Sequence, residues 1–280
     1  MIPQNFEYSA PANLKEALAL LADGAKPLAG GMSLIPLMKF RFANPEHLVY
    51  IGRLAELNYI RRENGALHVG AATTHHQVES SSEIRASCPL LAEAAGHIGD
   101  MQVRNMGTIG GSAAHADPAA DYPAALLALE AKVVAVSAKG EREIPIDQFF
   151  IDAFTTALEP GEIIREFILP TDAAETRVSY QKCVHPASGY AVVGVAVRTR
   201  RVDGNIALAR VGVTGLAAIA FRAKNVEQAL EGTAGTRDDV KKATALVADG
   251  IDANSDLYAS AEYRANLARV YMGRALAGVV

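Results

Sequence analysis

Apolar and polar positions along the chain change period several times, and each change marks an element. Over residues 12–22, Leu14, Ala17, Leu18 and Leu21 recur at helical spacing before Gly24, which predicts a surface helix. The next stretch, KPLAGGMSLIPLMKFRF, takes a short apolar run into a double glycine and reads as strand, glycine turn, then a short helix or extended segment. From His47 to Gly70 short apolar runs flank Glu63-Asn64-Gly65, as in a small mixed sheet with tight connections. EIRASCPLLAEAAGHI favours a helix interrupted or started at Pro89, and the polar, glycine-bearing GDMQVRNMGTIGGS after it reads as a loop. DPAADYPAALLALEA then reads as a helix, and KVVAVSA and EREIPIDQFF as two strands around Lys139-Gly140.

After Pro170, LPTDAAETR forms a polar, proline-marked break. Residues 178–184, 190–200 and 205–217 are β-rich, with a hairpin turn at Asp203-Gly204-Asn205. Helical periodicity follows over 223–231, 237–249 and 258–277, as in a sheet with helices on one face. The fold class expected is α+β, with one domain over residues 1–172 and a second over 173–280.

The 280 residues are 50% hydrophobic and 21% charged, enough apolar material for a sizeable core. A net charge of −4 offers no general attraction to nucleic acid or to an anionic membrane. The longest apolar stretches, residues 187–197 and 211–221, fall short of the roughly 20 residues a spanning helix needs. The polar opening MIPQNFEYSAPAN has no basic residue before Lys15 and is no secretion signal, so a cytoplasmic location is expected. Two distant cysteines, Cys88 and Cys183, point to a reducing compartment and cannot ligate an iron–sulfur cluster by themselves.

No GxGxxG, G-K-[ST], HExxH or G-x-S-x-G motif occurs. His115, Asp117 and Asp121 lack a second histidine for a metal site; Asp117-Pro118 reads better as a helix start, and Asp121 is a further candidate for one. His75 and His76 follow Thr73-Thr74 at a helix cap or in solvent and receive no role. What stands out is a pair of glycine-rich turns, Ala29-Gly30-Gly31-Met32-Ser33 and Thr108-Ile109-Gly110-Gly111-Ser112. Adjacent glycines let backbone N–H groups approach a diphosphate with no Cβ in the way, and neighbouring hydroxyls add donors. Either pair alone reads as an ordinary tight turn; together they can clamp one pyrophosphate.

PLAGGMSLIPLMKFR, RNMGTIGGSAAHADPAAD and HPASGYAVVGVAV resemble the FAD-binding medium subunits of molybdenum hydroxylases, the carbon monoxide dehydrogenase and xanthine dehydrogenase family, over essentially the whole chain. The resemblance implies an FAD domain of the p-cresol methylhydroxylase type, made of two α+β subdomains, about residues 1–55 and 56–172, and a smaller C-terminal domain of antiparallel sheet plus helices. It implies that Leu28, Ala29, Gly30, Gly31, Met32, Ser33 and Leu34 form the first pyrophosphate loop, and Thr108, Ile109, Gly110, Gly111 and Ser112 the second. By the same resemblance Asp121 contacts the ribose region, Ile164 and Ile98 make apolar contacts to the cofactor, Lys182 lies near the flavin ring and Tyr190 beside it. Ser112 stands where many members carry Asn, and Met32 where several carry His or Gln; a serine still donates one hydrogen bond.

The function implied is electron transfer through FAD, with no catalytic or metal-binding residue on this chain. The molybdopterin cofactor would sit on a large partner subunit and [2Fe-2S] clusters on a small one, assembled as a dimer of heterotrimers that reduces an external acceptor. A free-standing flavin oxidoreductase of the same domain type and a non-catalytic scaffold subunit are the alternatives. Valine at Gly110 or Gly111 is expected to strip flavin from a folded chain by placing a branched side chain against the diphosphate.

Overall fold

The computed structural model describes residues 2–280. Three strands, β1 (Glu7–Ser9), β2 (Lys26–Leu28) and β3 (His47–Tyr50), form a parallel sheet in the order β1-β3-β2, with Glu7 opposite His47 and Lys26 opposite Leu48. Helix α1 (Leu14–Ala22) buries Ala17, Leu18 and Leu21 against Val49 and Ile51. Asn13 caps it, accepting the Glu16 N–H at 2.9 Å. After β2 comes the first glycine turn, then helix α2 (Leu34–Lys39), in which only Met38 is buried.

The stretch read as one small mixed sheet divides between two. β3 belongs to the parallel sheet, whereas β4 (Ile60–Glu63) and β5 (Ala66–Gly70) turn at Asn64 and Gly65, both at positive φ, and start a five-stranded antiparallel sheet. Five helices follow: α3 (His75–Ser80), α4 (Ser82–Ser87), α5 (Pro89–Gly96), α6 (Met101–Met106) and α7 (Ile109–His115). Pro89 occupies the first turn of α5, where its missing N–H removes no helical bond. The segment read as a polar loop is thus mostly α6 and α7. No residue of α6 is buried, so it writes no hydrophobic period into the sequence. Helix α8 (Asp121–Ala128) starts at Asp121, while Asp117 only closes a turn, accepting the Ala119 N–H at 2.8 Å.

The sheet is completed by β6 (Lys132–Ser137), β7 (Gly140–Pro145) and, after a short hairpin of β8 (Phe150–Asp152) and β9 (Thr155–Thr156), by β10 (Ile163–Pro170). Its order is β4-β5-β10-β6-β7, so Phe167 of β10 lies between Val69 and Val133. A third sheet, antiparallel, has the order β11 (Thr176–Val184), β12 (Ala191–Val202), β13 (Asn205–Thr214) and β14 (Phe221–Arg222). Helices α9 (Lys224–Leu230), α10 (Arg237–Ala245) and α11 (Ala261–Ala277) close the chain.

The third sheet is covered on both faces rather than one. Val193, Val195 and Val197 of β12 pack with α9 to α11, whereas the intervening Ala196 joins Tyr180 in the core around α8. A strand buried on both faces reads as a continuous apolar run, which accounts for AVVGVAV. All eight residues of α8 are buried, because the helix packs between the third sheet and helices α5 and α7. Its backbone comes so near β13 that a Cβ on Gly212 would stand 1.9 Å from the Ala124 carbonyl oxygen. Among the described residues no helix is long and apolar enough to cross a membrane.

Candidate functional site: a cleft between two glycine pairs

One cleft of about 480 Å³ gathers both glycine pairs, the start of α8, the start of β10 and the loop between β11 and β12. All residues assigned to FAD by resemblance line it except Ile109 and Lys182. The structure takes those two out of the lining. Ile109 points into the core with Val69 and Leu126 and is wholly buried. Lys182 lies behind the cleft wall, bonded to protein acceptors.

The first glycine pair is an open nest. Gly31 has φ +71°, Ser33 is in the right-handed helical region, and the turn runs into α2. The backbone N–H groups of Gly30, Gly31, Met32, Ser33 and Leu34 donate to no acceptor among the described residues, and all five residues border the cleft. Consecutive free amides in such a turn form a concavity that suits an anion. Gly30 is needed for a second reason: a Cβ there would stand 2.0 Å from the Met106 carbonyl oxygen, so the turn rests directly on the end of α6.

The second pair is closed. Gly110 and Gly111 lie in the first turn of α7, not in a loop, and Thr108 is the N-cap. Ile109 N donates to Thr73 O at 3.0 Å, Gly110 N to Ala71 O at 2.9 Å, Gly111 N to Thr108 Oγ1 at 3.0 Å and Ser112 N to Thr108 O at 3.0 Å. No first-turn amide is left over for a ligand. Gly110 is a contact glycine, since a Cβ would meet Ala71 Cβ at 2.5 Å and its carbonyl oxygen at 2.7 Å. At Gly111 a Cβ would meet only Thr108 Oγ1, at 2.9 Å, and the residue is exposed at the cleft. The expectation that both pairs present free amides is therefore corrected for the second, which offers a bare glycine surface and Ser112.

Asp121 borders the cleft but is 5% exposed, and its carboxylate accepts from Tyr180 Oη at 2.5 Å and from Lys182 Nζ at 2.9 Å. Burial raises its carboxyl above the usual range, while the Lys182 ammonium and the Tyr180 hydroxyl pull it down. Tyr190 is 40% exposed, and burial with the Asp117 charge raises its phenol.

Several lining residues escaped the sequence reading. His75 is buried instead of facing solvent. Burial, helped by the Arg104 charge, lowers its imidazole to about 4, so it is neutral at pH 7. The Thr74-x-x-Gln77 capping box is visible in the sequence and fixes the helix start, which turns the first helical residue, His75, inward. Lys26 and Phe154 also line the cleft, and Phe154, at φ +57°, lies 5.2 Å from the His115 ring. No sequence pattern marks Phe154, because its placement follows from one left-handed residue in the β8-β9 hairpin.

An open nest for a diphosphate, a glycine surface opposite, and aliphatic and aromatic walls fit a dinucleotide cofactor. The model for the FAD binding domain in molybdopterin dehydrogenase matches residues 4–172, and that for the CO dehydrogenase flavoprotein C-terminal domain matches residues 178–279. The carbon monoxide dehydrogenase medium chain of Hydrogenophaga pseudoflava is 40% identical over 279 residues, covering 99% of this chain and 97% of that one. The 6-hydroxypseudooxynicotine dehydrogenase complex subunit alpha of Paenarthrobacter nicotinovorans is 37% identical, covering 99% and 95%. Among solved structures, carbon monoxide dehydrogenase from H. pseudoflava superposes with a TM-score of 0.97 at 42% identity, covering 100% of this chain and 98% of that one. Quinoline 2-oxidoreductase from Pseudomonas putida 86 gives 0.95 at 30%, covering 100% and 98%. On these matches the chain belongs to the family of FAD-binding medium subunits of molybdenum hydroxylases.

Proposed function

We propose that the chain carries one FAD across this cleft, with the diphosphate on the amides of Gly30 to Leu34, and serves as the electron-transfer subunit of a heteromeric molybdenum-containing hydroxylase. The observation that carries this reading is the run of five free amides bordering the cleft. Bound FAD supplies the exchange of electrons between iron–sulfur donors and an external acceptor. The chain's own residues bind and orient. The nest neutralises diphosphate charge, Gly111 leaves room opposite it, Ile98 and Ile164 exclude water, and Tyr190 forms the wall on the side of the third sheet.

The other redox centres lie elsewhere. Two free cysteines cannot ligate [2Fe-2S] clusters, so a small iron–sulfur subunit and a large molybdenum subunit complete the enzyme, in our reading as a dimer of heterotrimers in the cytoplasm. The relatives' names span carbon monoxide, 6-hydroxypseudooxynicotine and quinoline, which fits a subunit that does not choose the substrate. In this reading the FAD-binding part runs to residue 172, with a subdivision near residue 55, and the C-terminal part from residue 173.

Flavin content tests it. The purified chain should hold FAD near one per chain, identified by its visible absorption and by the nucleotide released on denaturation. A folded chain that carries no flavin and refuses added FAD would overturn the reading.

A further inference from the structure

Lys182 stands on β11 with its side chain 1% exposed. Its ammonium has three protons to donate, and acceptors from three separate segments converge on it. His97 O lies at 2.7 Å, Gly189 O at 2.9 Å, and the Asp121 carboxylate at 2.9 Å and 3.1 Å through its two oxygens. Each acceptor belongs to, or directly precedes, a residue of the cleft wall: His97 precedes Ile98 after the end of α5, Gly189 precedes Tyr190 before β12, and Asp121 opens α8. Tyr180, two residues earlier on β11 and therefore on the same side of the strand, donates to the same carboxylate.

The loop over residues 185–190 is otherwise bonded mostly to itself, through His185 N to Tyr190 O at 2.8 Å and Gly189 N to His185 O at 2.9 Å. Beyond it, Ala191 N reaches Ala119 O at 3.2 Å. The Lys182 bond to Gly189 O therefore ties the tip of the loop to α5 and α8.

We propose that Lys182 is a positioning residue for the flavin half of FAD: one buried ammonium fixes the walls carrying Ile98, Asp121 and Tyr190 and does so without touching the cofactor. This deepens the FAD reading above and rests on it. An aliphatic and an aromatic side chain held at fixed separation suit a planar ring, while the diphosphate stays on the free amides of the Gly30–Leu34 turn. Holding the wall before the cofactor arrives reduces the ordering that binding must otherwise impose.

The test titrates the full chain, freed of flavin, with FAD and separately with ADP, which lacks the flavin half. Lys182→Met should weaken FAD by about tenfold or more and leave ADP within about twofold, and FAD that still binds should show a changed visible band. Removing the lysine also strands a buried carboxylate, a purely structural penalty. Lys182→Met/Asp121→Asn removes that penalty and carries the test if the single variant fails to fold. Against Asp121→Asn alone, the double variant should still lose FAD affinity. FAD binding equal to that of Asp121→Asn alone, or an equal loss of ADP affinity in either lysine variant, would overturn the proposal. Failure of the unaltered chain to bind FAD would instead overturn the FAD reading.

Discussion

The two glycine pairs are written in nearly the same letters, AGGMS and IGGSA, and the structure uses them in opposite ways. In the first, a left-handed Gly31 turns the backbone so that its amides stay free beside the cleft. In the second, every first-turn amide of α7 is bonded to protein, and Gly110 lets the helix settle onto Ala71. The first pair leaves its amides open beside the cleft while Gly30 packs on Met106, whereas the second closes its amides and packs Gly110 on Ala71. Because only Gly111 of the second pair is bare toward the cleft, neighbouring residues in one motif should fail in different ways when altered.

The largest effect falls on packing. Gly110→Val drives a branched side chain into the Ala71 backbone and should cost about 3 kcal/mol or more of stability, read by denaturant unfolding. An unchanged unfolding midpoint would remove the distinction between the pairs. To the expectation that Gly110→Val loses flavin, the structure adds a loss of stability.

Acid should act on the same seat. His75 N donates to Gly107 O at 2.9 Å, and its ring lies against Gly107, where a Cβ would stand 2.5 Å from Nε2. With its pKa lowered from 6.5 to about 4, the folded chain resists a proton that the unfolded chain accepts. Stability present above pH 6.5 is therefore lost as pH falls toward about 4, on the order of 3 kcal/mol in all. His75→Leu should flatten the stability profile across that window, and an unchanged slope would exonerate His75. The first turn, Leu28 to Leu34, contains no titratable side chain of its own.

Gly111→Val should do the reverse of Gly110→Val. Stability should change by no more than about 1 kcal/mol, while FAD affinity drops about tenfold or more as side-chain bulk enters the cleft. Equilibrium titration with FAD checks this, and wild-type affinity would show that the cofactor does not pass that face. Smallest is Thr108→Ala, which removes the α7 cap at about 1 kcal/mol and should leave the affinity nearly unchanged.

Much of this was legible beforehand, for identifiable reasons. The valine run of β12 and the helices over residues 223–277 bury apolar faces in one core, and burial writes the period, while the exposed Asp203-Gly204-Asn205 turn was legible from residues that accept positive φ. The two glycine pairs stood out in the sequence, and both border one cleft. Their difference was not legible, since the amides of the second pair are closed by the carbonyls of Ala71 and Thr73, nearly forty residues earlier in the chain. Helix α6 buries nothing and left no pattern, and Lys182 gave no sign that its partners are His97 O and Gly189 O, because carbonyl acceptors carry no residue code.

Amide hydrogen exchange of the chain without flavin and with FAD reads the difference between the pairs directly. The amides of residues 30–34 should exchange freely without flavin and become protected when FAD is added, whereas those of residues 109–112 should be protected throughout. Protection at 30–34 that is already complete without FAD, or gained on binding only at 109–112, would contradict the assignment of the diphosphate to the first turn.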